Sequence, residues 1–544
     1  MPFARAFGLP PWQARQLPWL LLALALFVLA APLGPVPMWA FAAALLGLCA
    51  AGSLAEATCA YLFISLFDSV LAFPPLGGSL VRVAQLGLLL RCGAQALLGW
   101  GGPGLPAARA AAGQRLPPGR LPAMRRAGLV FPVAAGGLAL AFSLLSYALK
   151  GVTGDTLSFL FSLAVLLPLG LLLRGRGREL AGPLLQTYVA AALASVLLGL
   201  VYQRFFWMRG ADFLGARFMG AHEPNFTAMF LDVGLLIYLA AGWPALAGGG
   251  RRRALSLPVR LADAAVMGTL AAGLLMTGSM TGLAVSACAL LVFALRRRRA
   301  WRRGLARAAA GLAVAAGIMI ACALILRPLP QGQVLAQSES TGYVSGESPN
   351  YIDTETYRAA RRAGQPIEDL LLTRSQWVAQ RQAQGLPVAQ PLPAIVPTGP
   401  WSRLPVIGPR IDQAVAFLSG AGLDAATSGR LGLAREKLLD YLDYPWWQKL
   451  VGRGPDVEKT LMPMAFCLGY AHNSLLDMLC GFGLVGFAGL LWWLIRRARR
   501  GDLLGGGVGQ GERAALRYAR VALLLHALTL SMYLNRVFLF FFVL

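Results

Sequence analysis

The sequence predicts an all-α protein, a polytopic transmembrane helical bundle of about 12–14 spans with one large, partly helical loop outside the membrane. Three observations predict it. Of 544 residues, 57% are hydrophobic and only 13% charged, with a mean hydropathy of +0.61; soluble domains are roughly 45–50% apolar and about 25% charged. Apolar runs of about 17–25 residues recur, each long enough to cross a hydrocarbon core about 30 Å thick. Arginine clusters punctuate them in the alternating manner of the positive-inside rule. An ordinary cytosolic enzyme, a disordered regulator and a fibrous protein are excluded.

In chain order the expected spans are 17–34, 38–55, 57–74, 79–99, 127–149, 156–173, 180–201, 224–243, 261–278, 281–295, 305–326, 470–495 and 515–534. The first is expected to be a retained helix rather than a signal peptide, because no small-residue cleavage site follows and a second span begins at once. The run 281–295 is short enough to be tilted or partly inserted, and the Phe-rich stretch 537–544 is too short to span alone. With Arg5 and Arg15 inside, the clusters at 109–126, 174–178, 251–260, 296–307 and 496–520 all fall in the cytoplasm, and 150–155, 202–223 and 327–469 face outward. Four regions follow: amino-terminal helices (1–179), central helices (180–326), the large loop (327–469) and carboxy-terminal helices (470–544).

The net charge of +25 belongs to topology rather than to nucleic acid. Residues 327–463 hold 14 Lys/Arg against 13 Asp/Glu, leaving 35 basic and 11 acidic residues elsewhere, mostly in the short clusters. Membrane lipids with anionic headgroups are the expected partner of those clusters, and no nucleic acid is. The seven cysteines fall in or beside apolar segments without metal-site spacing, so no disulfide framework is implied.

A loop of about 140 residues is seldom a passive connector. Its first part, rich in Pro, Gln and Gly, reads as irregular. In 430–449, Leu431, Ala434, Leu438, Leu439 and Leu442 recur at helical spacing between charges, which predicts an amphipathic helix packed on the external face of the bundle. No internal repeat is visible, which argues against a secondary transporter.

The segment Tyr470-Ala-His-Asn-Ser-Leu-Leu-Asp-Met-Leu-Cys-Gly-Phe-Gly-Leu-Val-Gly-Phe resembles the signature of the O-antigen ligase and polymerase family of bacterial membrane glycosyltransferases. There a His-Asn pair opens a helix after a large periplasmic loop, and Gly-x-x-Gly follows; the counterparts are His472-Asn473 and Gly483, Gly486. Thr427-Ser-Gly-Arg430, the amphipathic stretch, a proline and Gly452-Arg-Gly454 are similar to a second block, and Glu223-Pro-Asn225-Phe-Thr-Ala to a third. Thr277-Gly-Ser279 resembles a Thr-x-Ser-Arg element, with Met280 where arginine is usual. The resemblance covers about 180–500. It implies a multi-pass inner-membrane enzyme with a cytoplasmic amino terminus and a periplasmic loop. Such an enzyme moves glycan from an undecaprenyl-pyrophosphate carrier to an acceptor hydroxyl, with no metal and no cofactor. Polymerisation of O-antigen, capsule or exopolysaccharide units is favoured over ligation to a lipid A core, with transfer to protein third. A transporter or flippase for the same lipid-linked glycan is the reading from another class.

In such chemistry His472 is the candidate base for the acceptor hydroxyl, kept neutral by a helix amino terminus; the alternative is an interfacial histidine that caps the loop. A pyrophosphate leaving group calls for arginine, a permanent charge on a planar fork. Arg430 is the foremost candidate, then Arg204, Arg209, Arg217 and Arg453, any of which is otherwise a solvated charge or salt-bridge partner. Arg82 and Arg91 lie within an expected span, where an ionisable side chain is costly. Arg82 faces the phosphate or pairs with Asp68, and Arg91 otherwise marks a misplaced boundary. Glu223, Asn225 and Asn473 are candidate sugar contacts or helix-end groups, with His222 beside them. Asp353-Thr-Glu355 is the nearest match to a metal-binding Asp-x-Asp, too common a pair to imply a metal. Trp377, Trp401, Trp446 and Trp447 stack on sugars or anchor the interface.

Overall fold

The computed structural model describes residues 35–67, 72–73, 78–98, 154–201, 224–241, 257–296, 301–325, 349–386, 430–462, 467–503 and 508–544, with short breaks at 364, 366 and 456–458. The expected spans at 17–34 and 127–149 lie outside them. The described residues are mostly helical, with two short antiparallel strand pairs. In chain order they form α1 (Pro35–Ala51), α2 (Leu54–Ser65), β1 (Ala72–Phe73), β2 (Gly78–Ser79), α3 (Leu80–Leu98), α4 (Gly154–Leu172), α5 (Gly177–Val201), α6 (Pro224–Ala241), α7 (Leu257–Met276), α8 (Met280–Arg296) and α9 (Trp301–Ile325). The loop contributes α10 (Thr354–Ala363), α11 (Arg374–Ala383), α12 (Arg430–Leu442), α13 (Trp446–Val451), β3 (Lys459–Met462) and β4 (Cys467–Tyr470); α14 (Ser474–Arg500), α15 (Gln510–Ala527) and α16 (Arg536–Val543) follow. Among these, α5, α7 and α14 are long and apolar enough to cross a membrane, and a membrane protein is the class they indicate.

Several expected boundaries move, each for a local reason. The run expected at 57–74 is α2, which starts earlier at a capping box between Ser53 and Glu56 and stops at Ser65. Residues 72–73 instead form the first strand of the β1–β2 pair. The run expected at 515–534 is α15, which ends at Ala527 where Thr529 turns back to bond the His526 carbonyl through both its N–H and its hydroxyl. Arg91 marks no boundary: it is 2% exposed inside α3. Arg82 lies half-buried in the first turn of that helix.

One apolar core runs through α1–α8 and α14–α16. Close crossings depend on small residues: a Cβ on Gly268 of α7 would sit 2.5 Å from Val314 of α9. A polar clamp joins three helices there. Asp263 of α7 accepts two bonds from Arg307 of α9 at 2.7 Å and one from the Tyr238 hydroxyl of α6 at 2.9 Å. Asp263→Ala is expected to remove about 2–3 kcal/mol of stability, seen as a lower melting midpoint in detergent; an unchanged midpoint would show that the clamp contributes nothing. The Phe-rich end, α16, is buried in the core, and its last carbonyls accept bonds from Arg497 and from fully buried Arg520.

The loop departs most from expectation. Its first part is not irregular throughout, because 349–386 folds into a small unit. Tyr351 bridges Leu372, a capping box of Thr373 and Gln376 starts α11, and Tyr357 and Ile352 pack on Leu461 and Leu468 of the β3–β4 hairpin. The helix expected over 430–449 is broken at Pro445 into α12 and α13. Its polarity is also inverted. Glu436, Lys437 and Asp440 face inward, paired with Arg358, Asp477, and the Tyr357 and Thr460 hydroxyls respectively, whereas Leu431, Leu438, Leu439 and Leu442 face outward. The four leucines expected to pack against the bundle do not; the inward face of α12 is made instead by Leu433 and Tyr441 together with the paired Glu436, Lys437 and Asp440. Burial pushes the Asp440 carboxyl above the usual carboxylate range.

Candidate functional site

The site is built around the start of α14. Asn473 is its N-cap: the side-chain oxygen accepts from the Leu475 and Leu476 amides, satisfying two donors that no helix can satisfy itself. Its observed contacts are therefore those of a capping residue. Ser474 anchors the same turn to the segment after α15, donating to the Leu530 carbonyl and accepting from the Met532 amide at 2.6 Å. His472 precedes the cap in a left-handed conformation, φ 50°, the only positive φ outside glycine among the described residues. That bend separates strand β4 from α14 and holds the imidazole at the junction of loop and helix.

Arg430 reaches this junction from the first turn of α12. Its guanidinium donates to the Thr281 hydroxyl at 3.0 Å and to the Thr529 carbonyl at 3.2 Å. Its charge also acts on His472, whose pKa is lowered to about 4, first by burial and then by Arg430. The imidazole is thus neutral at pH 7, as the sequence leads one to expect, with burial and a neighbouring cation as the causes.

Thr281 follows Met280, so the guanidinium beside the position where the family resemblance calls for arginine comes from the loop. Asn225, in the first turn of α6, accepts a bond from Ser279 at 2.8 Å. Ser279 in turn caps α8 by accepting from Gly282, and its own amide donates to Thr277. Asn225, Thr277, Ser279, Arg430 and His472 come from four separated stretches of sequence. Two clusters form from them, Asn225–Ser279–Thr277 and Thr281–Arg430–His472, joined through the first two residues of α8.

Arg453 has another role. Its guanidinium stacks on the Tyr444 ring at 3.7 Å and bonds Gln448, and its amide donates to the Cys480 carbonyl of α14. The neighbouring Gly454 amide donates to the Gly481 carbonyl at 2.8 Å. The 452–454 segment therefore runs against the backbone of α14 where Gly483, φ 62°, breaks the helix.

Two buried ionisable pairs were not foreseen from sequence. Lys437 of α12 lies 3.8 Å from Asp477 in the first turn of α14, both buried. His526 of α15 lies 3.1 Å from Asp232 of α6, deep in the apolar core. The available signal was an ionisable residue inside an expected span, which describes Asp232, Asp477 and His526 as well as Arg82.

Arg204, Arg209, Arg217, His222, Glu223, Asp68 and Trp401 lie outside the described residues. Asp353 is committed to Arg381 and to the indole N–H of Trp377. Trp377 is a core residue of the loop unit, against Tyr351, and so does not offer a face to a sugar; Trp446 is exposed. Among the described residues, no three His, Cys, Asp or Glu side chains gather as metal ligands would. No protein-family model and no curated protein matches the chain.

Proposed function

We propose that the chain is a polytopic inner-membrane glycosyltransferase of the O-antigen polymerase and ligase kind, with its large loop in the periplasm. It transfers glycan from an undecaprenyl-pyrophosphate carrier to an acceptor hydroxyl. The observation that carries the proposal is the pairing of a neutral, half-buried His472 with Arg430, residues 42 positions apart brought together where the loop meets a membrane-length helix. In the reaction the acceptor oxygen attacks the anomeric carbon, its proton passes to His472, and the carbon–oxygen bond to pyrophosphate breaks with inversion. Arg430 meets the charge growing on the pyrophosphate. Polymerase is preferred to ligase, and ligase to transfer onto protein.

The test is a gel profile of surface glycans from a deletion strain, from wild-type rescue, and from rescue with His472→Ala at equal expression. A mutant profile matching the deletion supports transfer. Glycan stopped at one repeat then identifies a polymerase, and long chains left on the carrier a ligase. A full wild-type ladder with His472→Ala would overturn the assignment. A transporter of the same glycan is the second reading, favoured by the buried His526–Asp232 pair, since such pairs occur in proton-coupled membrane pathways. It requires His526 and Asp232 for movement of lipid-linked glycan across the membrane, and not His472.

The lowered pKa sets a pH dependence. The base is the neutral imidazole, and its population falls only as pH drops through about 4. Transfer is expected to stay flat from about pH 8 to about pH 5.5, whereas a histidine near 6.5 would lose roughly tenfold by the lower limit. Initial rates in reconstituted vesicles decide between them.

A further inference from the structure

Beside buried Leu433 and Tyr441, α12 turns three charged side chains inward and most of its leucines outward, against what water selects. Glu436 and Lys437 are 3% and 2% exposed, paired inside the protein, while Leu442 on the outer face is 53% exposed. Leu431 and Leu438 stand on the same outer face, at helical spacing with Leu442. The ridge continues over α13, where Trp446 is 75% exposed and Leu450 is also exposed. A helix bathed in water would gain by turning those leucines inward and its charges outward.

The ridge also joins a surface that faces lipid by position. Leu450 lies against Gly483 of α14, so close that a Cβ on Gly483 would sit 2.4 Å from its carbonyl. The next two residues of that membrane-length helix, Leu484 and Val485, are exposed as well. The apolar surface of α12 and α13 is therefore continuous with the exposed flank of α14. Arg435 on the same side of α12 is exposed, and its long stem allows the charge to rise to headgroup level.

We infer that α12 and α13 lie in the outer leaflet of the bilayer, with Leu431, Leu438, Leu442, Trp446 and Leu450 in its acyl region. The occupant of the face is phospholipid. Helices lying in a membrane interface bury their apolar side about 5–10 Å into the acyl boundary. Arg430, adjacent to Leu431 at the start of α12, is thereby held at the depth of lipid phosphates. The placement stands on polarity and continuity alone and does not depend on glycosyl transfer.

The experiment uses the full chain in vesicles of phosphatidylethanolamine and phosphatidylglycerol. Exposed Cys288 and the other label-reactive cysteines are replaced by serine. A nitroxide is attached at Leu438→Cys, Leu442→Cys, Leu484→Cys or Gln382→Cys, the last on the exposed side of α11. Relaxation by oxygen, which partitions into lipid, is compared with relaxation by a water-soluble nickel chelate. Labels at 438 and 442 are expected to shift toward oxygen as the label at 484 does, away from the aqueous label at 382. Nickel accessibility at 438 and 442 equal to that at 382 would overturn the inference. Protection from both reagents with spin–spin broadening would also overturn it, in favour of a second copy on this face. Should the serine-substituted chain fail to fold, benzoylphenylalanine at position 438 of the native chain replaces the label. A phospholipid adduct after irradiation supports the placement, and a cross-linked dimer or no lipid adduct overturns it.

Discussion

Replacing His472 is expected to lower glycan transfer by about 10²–10⁴-fold, the usual loss when a positioned base is removed, while the protein remains in the membrane. The choice of substitute matters because His472 occupies the left-handed region at φ 50°. Alanine there costs roughly 1–2 kcal/mol of backbone strain, whereas asparagine tolerates the conformation. His472→Asn should therefore match wild type in abundance and melting midpoint and still lose transfer. If His472→Asn transfers at the wild-type rate, the residue serves the bend and not the chemistry. Arg430→Lys is the companion variant. It keeps the charge but lacks the planar fork that reaches Thr281 and the Thr529 carbonyl together.

The second large effect falls on the fold and is independent of function. Gly483→Ala is expected to cost at least about 3 kcal/mol and to deplete the folded, monodisperse protein on gel filtration in detergent. Two causes combine. The residue has φ 62°, and a Cβ would sit 2.4 Å from the Leu450 carbonyl and 2.5 Å from the Gly452 amide. Backbone on both sides leaves nothing to swing away. The control is Gly489→Ala in the same helix, where a Cβ meets nothing within 4 Å; there alanine should be neutral or gain up to about 1 kcal/mol. Equal behaviour of the two variants would mean that the break at Gly483 is not required.

The helical, apolar class was legible because it depends on composition and on run length alone, and so was the onset of α14 at the His-Asn pair. Capping chemistry is local as well: Asn473 needs only the two amides that follow it. The break at Gly483 was not legible, because Gly-x-x-Gly within an apolar run also describes an unbroken helix with a close neighbour. What makes it a break is the 452–454 segment lying against it, about thirty residues upstream. The neutrality of His472 was expected from a local helix end; the burial and the Arg430 charge that also lower its pKa come from residues distant in sequence.

By itself the sequence determined the helical, apolar class, where most of the described helices start to within about a turn, and that His472 stands at a loop–helix junction. Each of these follows from residues that are neighbours along the chain. The tertiary structure alone decided which face of α12 turns inward, which backbone threads the break in α14, and that His526 meets Asp232 across 294 residues of sequence. Hydrophobic periodicity marks the two faces of a helix but not which of them meets the protein. That choice rests on the buried partners waiting for Glu436, Lys437 and Asp440, and those partners come from α10, β3 and α14.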